Sequence, residues 1–281
     1  MVDLSNSDPR LQQLTSLISD MGQCIVACSG GLDSLLLATV AHRTLGSDCL
    51  IVHAVSPAVP VTDTQRVRDV GAAEGWTIQT IEAGEFTDEQ YLSNPVNRCY
   101  FCKSHLYAAL LPLAQALKAG NADYAAILSG ANTDDLGEYR PGLDAAREQG
   151  IRHPYVESNL SKDDVRELAT ILELPFANLP ASPCLSSRIY TGTRVTPERL
   201  AAIQFAEGWV KETTGLAVVR ARLQADQMLL ELNADDRKLL TATIVDNLRQ
   251  AVQHRYQFIA AVQLDPEPYR PGRAFRTGEL H

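Results

Sequence analysis

The chain has 281 residues, room for one large domain or a domain with a small appendage. Hydrophobic residues make up 45% and charged residues 21%, so a sizeable core can form and global disorder is excluded. With 25 Lys and Arg against 34 Asp and Glu the net charge is -9, which argues against general binding of a nucleic-acid backbone. No run approaches the roughly 20 apolar residues that span a bilayer. The start, Met1-Val2-Asp3-Leu4-Ser5-Asn6, lacks the basic and apolar regions of a secretory signal. The expectation is a cytoplasmic protein with no membrane partner.

In chain order, residues 24–29, 49–56, 77–83 and 124–129 read as strands, each followed by helical or loop-plus-helix sequence. That alternation predicts an α/β fold with a doubly wound parallel sheet. The apolar run 35–40 fits a helix packed on the sheet. Another helix opens at Ser161, with Asp164 placed to complete a capping box. Residues 179–196 carry prolines and glycines without a clean period and read as an ordered interdomain loop. Beyond it come a helix at 197–211, strands at 217–223 and 227–232, a helix at 235–255 and a last strand near 258–264. This αββαβ order predicts a small α+β domain. The expected division is 1–180 for the sheet domain, 181–196 for the loop, and 197–281 for a substrate or oligomerisation domain of a homo-oligomer.

Ser29-Gly30-Gly31-Leu32-Asp33-Ser34 stands directly after an apolar strand and opens a helix. Two glycines let the backbone bring its amides close to an anion, the helix start adds positive partial charge, and the serines offer hydroxyl donors. The pattern lacks the lysine of the usual P-loop. It resembles the PP-loop ATP pyrophosphatases, the group of GMP synthetase, NAD synthetase and several thiouridine-forming enzymes. The resemblance implies that ATP, with Mg²⁺, is cleaved between its α and β phosphates and that AMP is attached to a substrate oxygen. Ser29, Gly30, Gly31, Asp33 and Ser34 are then the ATP-binding candidates. Asp33 would be a metal-binding or loop-ordering carboxylate with a catalytic role; its plainer role is capping the helix. A second polar cluster, Ser129 to Asp135, follows the fourth predicted strand and brings Asn132 and Asp134 to the sheet edge at which ligands bind in open α/β folds. Its plainer reading is a solvated turn.

Of six cysteines, Cys24, Cys28 and Cys49 fall in or beside strands and read as small core residues. Cys99 and Cys102 form a C-x-x-C with Arg98 and Lys103 beside it to favour thiolates, and Cys184 in the interdomain loop is a natural third ligand. A lone C-x-x-C is compatible with redox, zinc or iron–sulfur use. Three thiolates without an obvious fourth suit a 4Fe-4S cluster with one open iron better than structural zinc, with His105 as the minority fourth ligand.

Arg140 to Arg147, Ser161-Lys162 and the Pro183-Cys184-Leu185-Ser186-Ser187-Arg188-Ile189 segment, taken with the phosphate loop, closely resemble the LarE-type ATP-dependent sulfur transferases over nearly the whole chain. The resemblance implies that pyridinium-3,5-biscarboxylic acid mononucleotide is adenylylated at a carboxylate and converted to a thiocarboxylate, for the nickel-pincer nucleotide cofactor of lactate racemase. In that family some members have one cysteine, at the position of Cys184, and sacrifice its sulfur; others have three and hold a 4Fe-4S cluster. All three are present here, so cluster-borne sulfide, reloaded by an unidentified donor, is the favoured source. Arg220 and Arg222, two apart on a predicted strand, share one face and suit an anionic nucleotide, while the plainer reading is a solvated face. Arg188 is a further substrate-site candidate, and Arg188 and Lys162 are candidates for phosphate or AMP contact; the plainer reading of Lys162 is a first-turn surface residue. The rivals are a tRNA thiolase with a three-cysteine cluster and a ligase or amidotransferase whose C-x-x-C binds zinc.

Overall fold

The computed structural model describes residues 8–117, 125–137 and 140–275. In chain order these form α1 (Pro9–Ser19), β1 (Cys24–Ala27), α2 (Leu32–Leu45), β2 (Cys49–Ala54), α3 (Val61–Glu74), β3 (Thr77–Ile81), α4 (Glu89–Leu92), α5 (Arg98–Leu117), β4 (Ala126–Leu128), α6 (Pro141–Glu148), α7 (Pro154–Glu157), α8 (Lys162–Ile171), α9 (Pro197–Thr214), β5 (Arg220–Gln224), β6 (Gln227–Glu231), α10 (Ala242–Arg255) and β7 (Ala261–Leu264), with short 3-10 turns between some of them. The chain divides into two compact units, Met1–Glu85 with Cys99–Pro183, and Phe86–Arg98 with Cys184–His281.

The first unit carries a parallel sheet in the order β3-β2-β1-β4. This is the predicted α/β architecture. Alternation along β1 sends Cys24 and Val26 into one core with Leu11, Leu14, Leu35, Leu36, Val165 and Leu168, while Ile25 joins Val52, Tyr107, Leu110 and Ile127 in another. Helices on both faces explain why the strands read as nearly continuous apolar runs. Because β2 lies on one side of β1 and β4 on the other, the connections leaving β1 and β4 diverge at their carboxyl ends, the topological switch point of such sheets. Tyr124, expected to start the fourth strand, lies outside the described residues. Cys24 and Cys49 are cross-strand partners with sulfurs 3.6 Å apart, and both are fully buried. Burial pushes the Cys28 thiol up to about 11, so it stays protonated.

The second unit holds the sheet β5-β6-β7, antiparallel between the first two strands and parallel between the last two. Leu200, Ile203, Val210, Ala221, Leu223, Met228, Leu230, Leu248 and Val262 are buried there. The predicted helix at 235–255 begins only at Ala242: residues Ala234–Leu239 form a 3-10 turn, and the Thr241 hydroxyl caps the restart by accepting from the Ile244 amide at 3.4 Å. A threonine able to bind the first free amides competes with continuing the helix through it.

Candidate active site

The predicted phosphate loop is a tight turn from β1 into α2. Ser34 Oγ accepts from the Ser29 amide at 3.0 Å, donates to the Gly31 carbonyl at 3.0 Å, and lies 3.1 Å from the Ser29 hydroxyl. Gly30 has φ +85°, and a Cβ there would come 2.7 Å from the Asp63 carbonyl oxygen. Only glycine satisfies both the left-handed backbone and that approach. Gly130, after β4, is close for a similar reason: a Cβ would meet the Asp33 backbone at 3.1 Å. The two turns therefore meet at the carboxyl ends of neighbouring strands.

Five polar side chains converge there. Lys162, first residue of α8, makes a hydrogen-bonded ion pair from Nζ to Asp33 Oδ2, and Asn132 Nδ2 lies 3.4 Å from Asp33 Oδ1. Asp134 accepts from the Lys162 amide at 2.9 Å and donates its own amide to Asn132 Oδ1 at 3.1 Å. Tyr155, its phenol pushed well up by burial, donates to the Asp33 carbonyl at 2.9 Å. The polar cluster is thus ordered by the loop it was expected to adjoin, and Lys162 reaches Asp33 rather than solvent alone. Sequence reasoning missed Asp63 and Arg66 of α3: Arg66 Nη1 donates to the Gly30 carbonyl at 2.7 Å and to Asp63 Oδ1 at 2.8 Å. Neither belongs to a motif, and only their placement against Gly30 reveals them. Loop amides and a lysine can meet phosphate oxygens, and the Asp33, Asn132 and Asp134 oxygens are hard donors of the kind Mg²⁺ prefers.

Cys99 and Cys102 lie one turn apart at the start of α5, partly exposed and reduced. Cys184 belongs to the second unit, is exposed, and precedes the 3-10 turn Leu185–Arg188. Three thiols are the right donor type for an iron–sulfur group. Among the described residues, however, no three His, Cys, Asp or Glu side chains are grouped so as to hold a metal ion. Arg98, expected beside the thiols, is buried in the second unit, donating to Asn94 Oδ1 at 2.5 Å and to the Ser186 carbonyl at 2.9 Å.

The arginines of the second unit are not on a solvated face. Arg220 and Arg222 are 7% and 4% exposed. Arg222 bonds Glu231 Oε2 at 2.8 Å, the Ser187 carbonyl at 2.8 Å and the Arg270 carbonyl at 3.3 Å. Arg188 is forked onto Glu207 at 3.0 and 3.3 Å, and Glu207 also accepts from the Ala221 amide. Arg220 donates to the Val219 carbonyl and lies with Arg222 against the Tyr269 ring, 5.6 and 5.9 Å from its centroid. Burial, followed by the nearby Arg188 charge, lowers the Arg220 pKa from its ordinary value.

A parallel sheet with a lysine-free glycine loop after β1 and an Asn-x-Asp turn after the adjoining strand is the architecture of the PP-loop enzymes. No family model matches the chain. It is 34% identical to an uncharacterized protein of Synechocystis over 96% of this chain and 98% of the relative. It is 32% identical to the pyridinium-3,5-bisthiocarboxylic acid mononucleotide synthase of Lactiplantibacillus plantarum, over 78% of each chain. A more distant likeness, 25% over 80% of this chain and 74% of the relative, is to one subunit of the glutamine-hydrolyzing GMP synthase of Methanopyrus kandleri. The chain belongs to the LarE-type sulfur transferase family of the PP-loop superfamily and is an enzyme of the transferase class. No helix among the described residues is long and apolar enough to cross a membrane.

Proposed function

We propose that this protein adenylylates a carboxylate of pyridinium-3,5-biscarboxylic acid mononucleotide with ATP and replaces the activated oxygen by sulfur, for a nickel-pincer nucleotide cofactor. The observation that carries it is the convergence of Asp33, Lys162 and Asn132 on the glycine loop, in a chain 32% identical to a synthase of the bisthiocarboxylic acid mononucleotide.

In this reading the Ser29, Gly30, Gly31 and Ser34 loop receives the phosphates, with the Lys162 ammonium offsetting their charge. Asp33, Asn132 and Asp134 would hold Mg²⁺, which supplies further neutralisation of the leaving pyrophosphate. The substrate carboxylate oxygen attacks the α-phosphorus, the α–β bond breaks, and pyrophosphate leaves. A sulfide nucleophile then adds to the acyl carbon, and AMP departs with its electron pair, leaving a thiocarboxylate. Arg188, Arg220 and Arg222 are proposed to grip the substrate's anionic groups. Cys99, Cys102 and Cys184 would hold a 4Fe-4S cluster, which supplies sulfide without consuming a protein sulfur. A small-molecule nucleotide substrate, an unidentified sulfur donor and a homo-oligomeric, cytoplasmic enzyme complete the proposal.

A second reading, sacrifice of the Cys184 sulfur, is favoured by the exposure of that thiol. There the Cys184 thiolate attacks the acyl carbon, AMP leaves, and loss of the Cys184 α-proton expels the thiocarboxylate to give dehydroalanine. Turnover with ATP and substrate, followed by phosphate analysis and intact-protein mass, tests both. AMP and pyrophosphate are expected, with iron and labile sulfide in anaerobically purified protein and an unchanged protein mass. ADP with inorganic phosphate would overturn the PP-loop reading. A protein lighter by one H₂S, in proportion to product and without iron, would establish sacrifice instead.

A further inference from the structure

Asp63 is 3% exposed, lies outside every motif, and has no part in the chemistry above. It is held from two directions within the first unit. Its Oδ1 accepts from Arg66 Nη1 at 2.8 Å, and the same Arg66 nitrogen donates to the Gly30 carbonyl at 2.7 Å. Its Oδ2 accepts from the Ser182 hydroxyl at 2.8 Å, the other oxygen standing 3.1 Å from that hydroxyl. Ser182 is two residues before Cys184 in the chain. A buried carboxylate fully engaged on both oxygens is costly to displace, so it transmits position between whatever it holds.

We propose that Asp63 is a positioning residue that ties the phosphate loop, through Arg66, to the segment delivering Cys184, through Ser182. This rests on the sulfur-transfer reading. One Arg66 nitrogen bridges the Gly30 carbonyl and the Asp63 carboxylate, and Gly30 packs so near the Asp63 main chain that an added Cβ would come 2.7 Å from its carbonyl oxygen. Phosphates in the loop therefore fix Arg66 and Asp63, and Asp63 fixes residue 182. Adenylylation and sulfur transfer are coupled by this link: the cysteine segment is steadied when the nucleotide is in place.

The test uses the full-length enzyme and two readouts. Ser182→Ala removes the second half of the link and leaves the loop intact. Its ATP KM and pyrophosphate release stay within about two-fold of the parent, while thiocarboxylate formed per pyrophosphate falls about ten-fold, the loss of one hydrogen bond to a charged acceptor. Asp63→Asn lowers that ratio and also raises the ATP KM. Restoring the hydroxyl with Ser182→Thr recovers most of the ratio. Independently of sulfur transfer, Mg-ATP should slow backbone hydrogen exchange at Ser182 and Cys184 several-fold in the parent and have no effect in Ser182→Ala. An ATP effect of equal size in both proteins, or an unchanged product ratio in Ser182→Ala, would overturn the proposal. If the parent released no pyrophosphate, the sulfur-transfer reading would fall, and the hydrogen-exchange experiment would still decide whether the link exists.

Discussion

The two units present positive charge by opposite means. At the phosphate loop of the first unit the donors are main-chain amides, two serine hydroxyls and one lysine, and the Lys162–Asp33 pair keeps 31% and 25% of its side-chain surface exposed. In the second unit the charge is concentrated in guanidiniums: Arg188–Glu207 and Arg222–Glu231 are 8% exposed or less on every side chain. A cradle of amides costs little stability because its dipoles come with the fold. A cluster of buried cations is rigid and selective, yet it needs carboxylates to hold it, and removing one partner leaves a charge stranded. Affinity for a common phosphate suits the first arrangement, and recognition of one particular anion suits the second.

That contrast predicts its own largest effect. Arg222→Ala strands Glu231, which is 0% exposed and which Arg273 also approaches at 3.3 Å, and should cost about 3–5 kcal/mol of stability. Thermal unfolding should show a drop of roughly 10 °C. Replacing the pair together, Arg222→Met with Glu231→Leu, should recover most of the stability and none of the substrate binding. A stable Arg222→Ala protein would dissolve the contrast.

The first unit should behave the other way, losing rate with little loss of fold. Asp33→Ala is expected to reduce pyrophosphate release by about 100-fold, a few kcal/mol of transition-state contacts, with the melting temperature nearly unchanged. Unfolding in parallel with the rate would mean that Asp33 is structural.

Between these lies Arg220, which rests on a carbonyl and the Tyr269 ring. Arg220→Ala should weaken the nucleotide substrate about ten-fold, one charge-assisted contact, and leave ATP affinity as it was. Titration calorimetry with each ligand separates the two. Equal loss for both would remove the division of labour.

The smallest effect concerns the helix that presents Lys162. Hydrogen bonds from Ser161, first through its side chain and then through its amide, hold the Asp164 carboxyl down to about 2, below its ordinary 3.8. A lowered folded-state value gives stability that is present above the ordinary pKa and lost as pH falls from about 4 towards 2. Asp164→Asn should cost about 1 kcal/mol at neutral pH, typical of a lost cap, and flatten stability across that acid range. Melting curves from pH 2 to 7 measure it, and a slope that survives the substitution would assign it to other carboxylates.

The sequence by itself determined the elements whose causes are local. Apolar runs set the strands, the Ser161 and Asp164 pair set the start of α8 to the residue, and the glycine loop declared its chemistry because a tight turn with close amides has few solutions. A first-turn lysine such as Lys162 carries no mark of what it reaches, which makes a plain surface role equally readable; only the placement of α8 put its ammonium on Asp33. The restart of α10 at Thr241 was likewise hidden, because a cap is visible in a sequence only when the chain around it already ends a helix. The tertiary structure alone decided that Arg220 and Arg222 are buried rather than washed by solvent, and that Asp63, 33 residues beyond Gly30 in the chain, lies against it. Strand periodicity tells which residues share a face, not what covers that face, and a carboxylate's partners across the chain leave no periodic trace. Those contacts exist only once the core has fixed the distances.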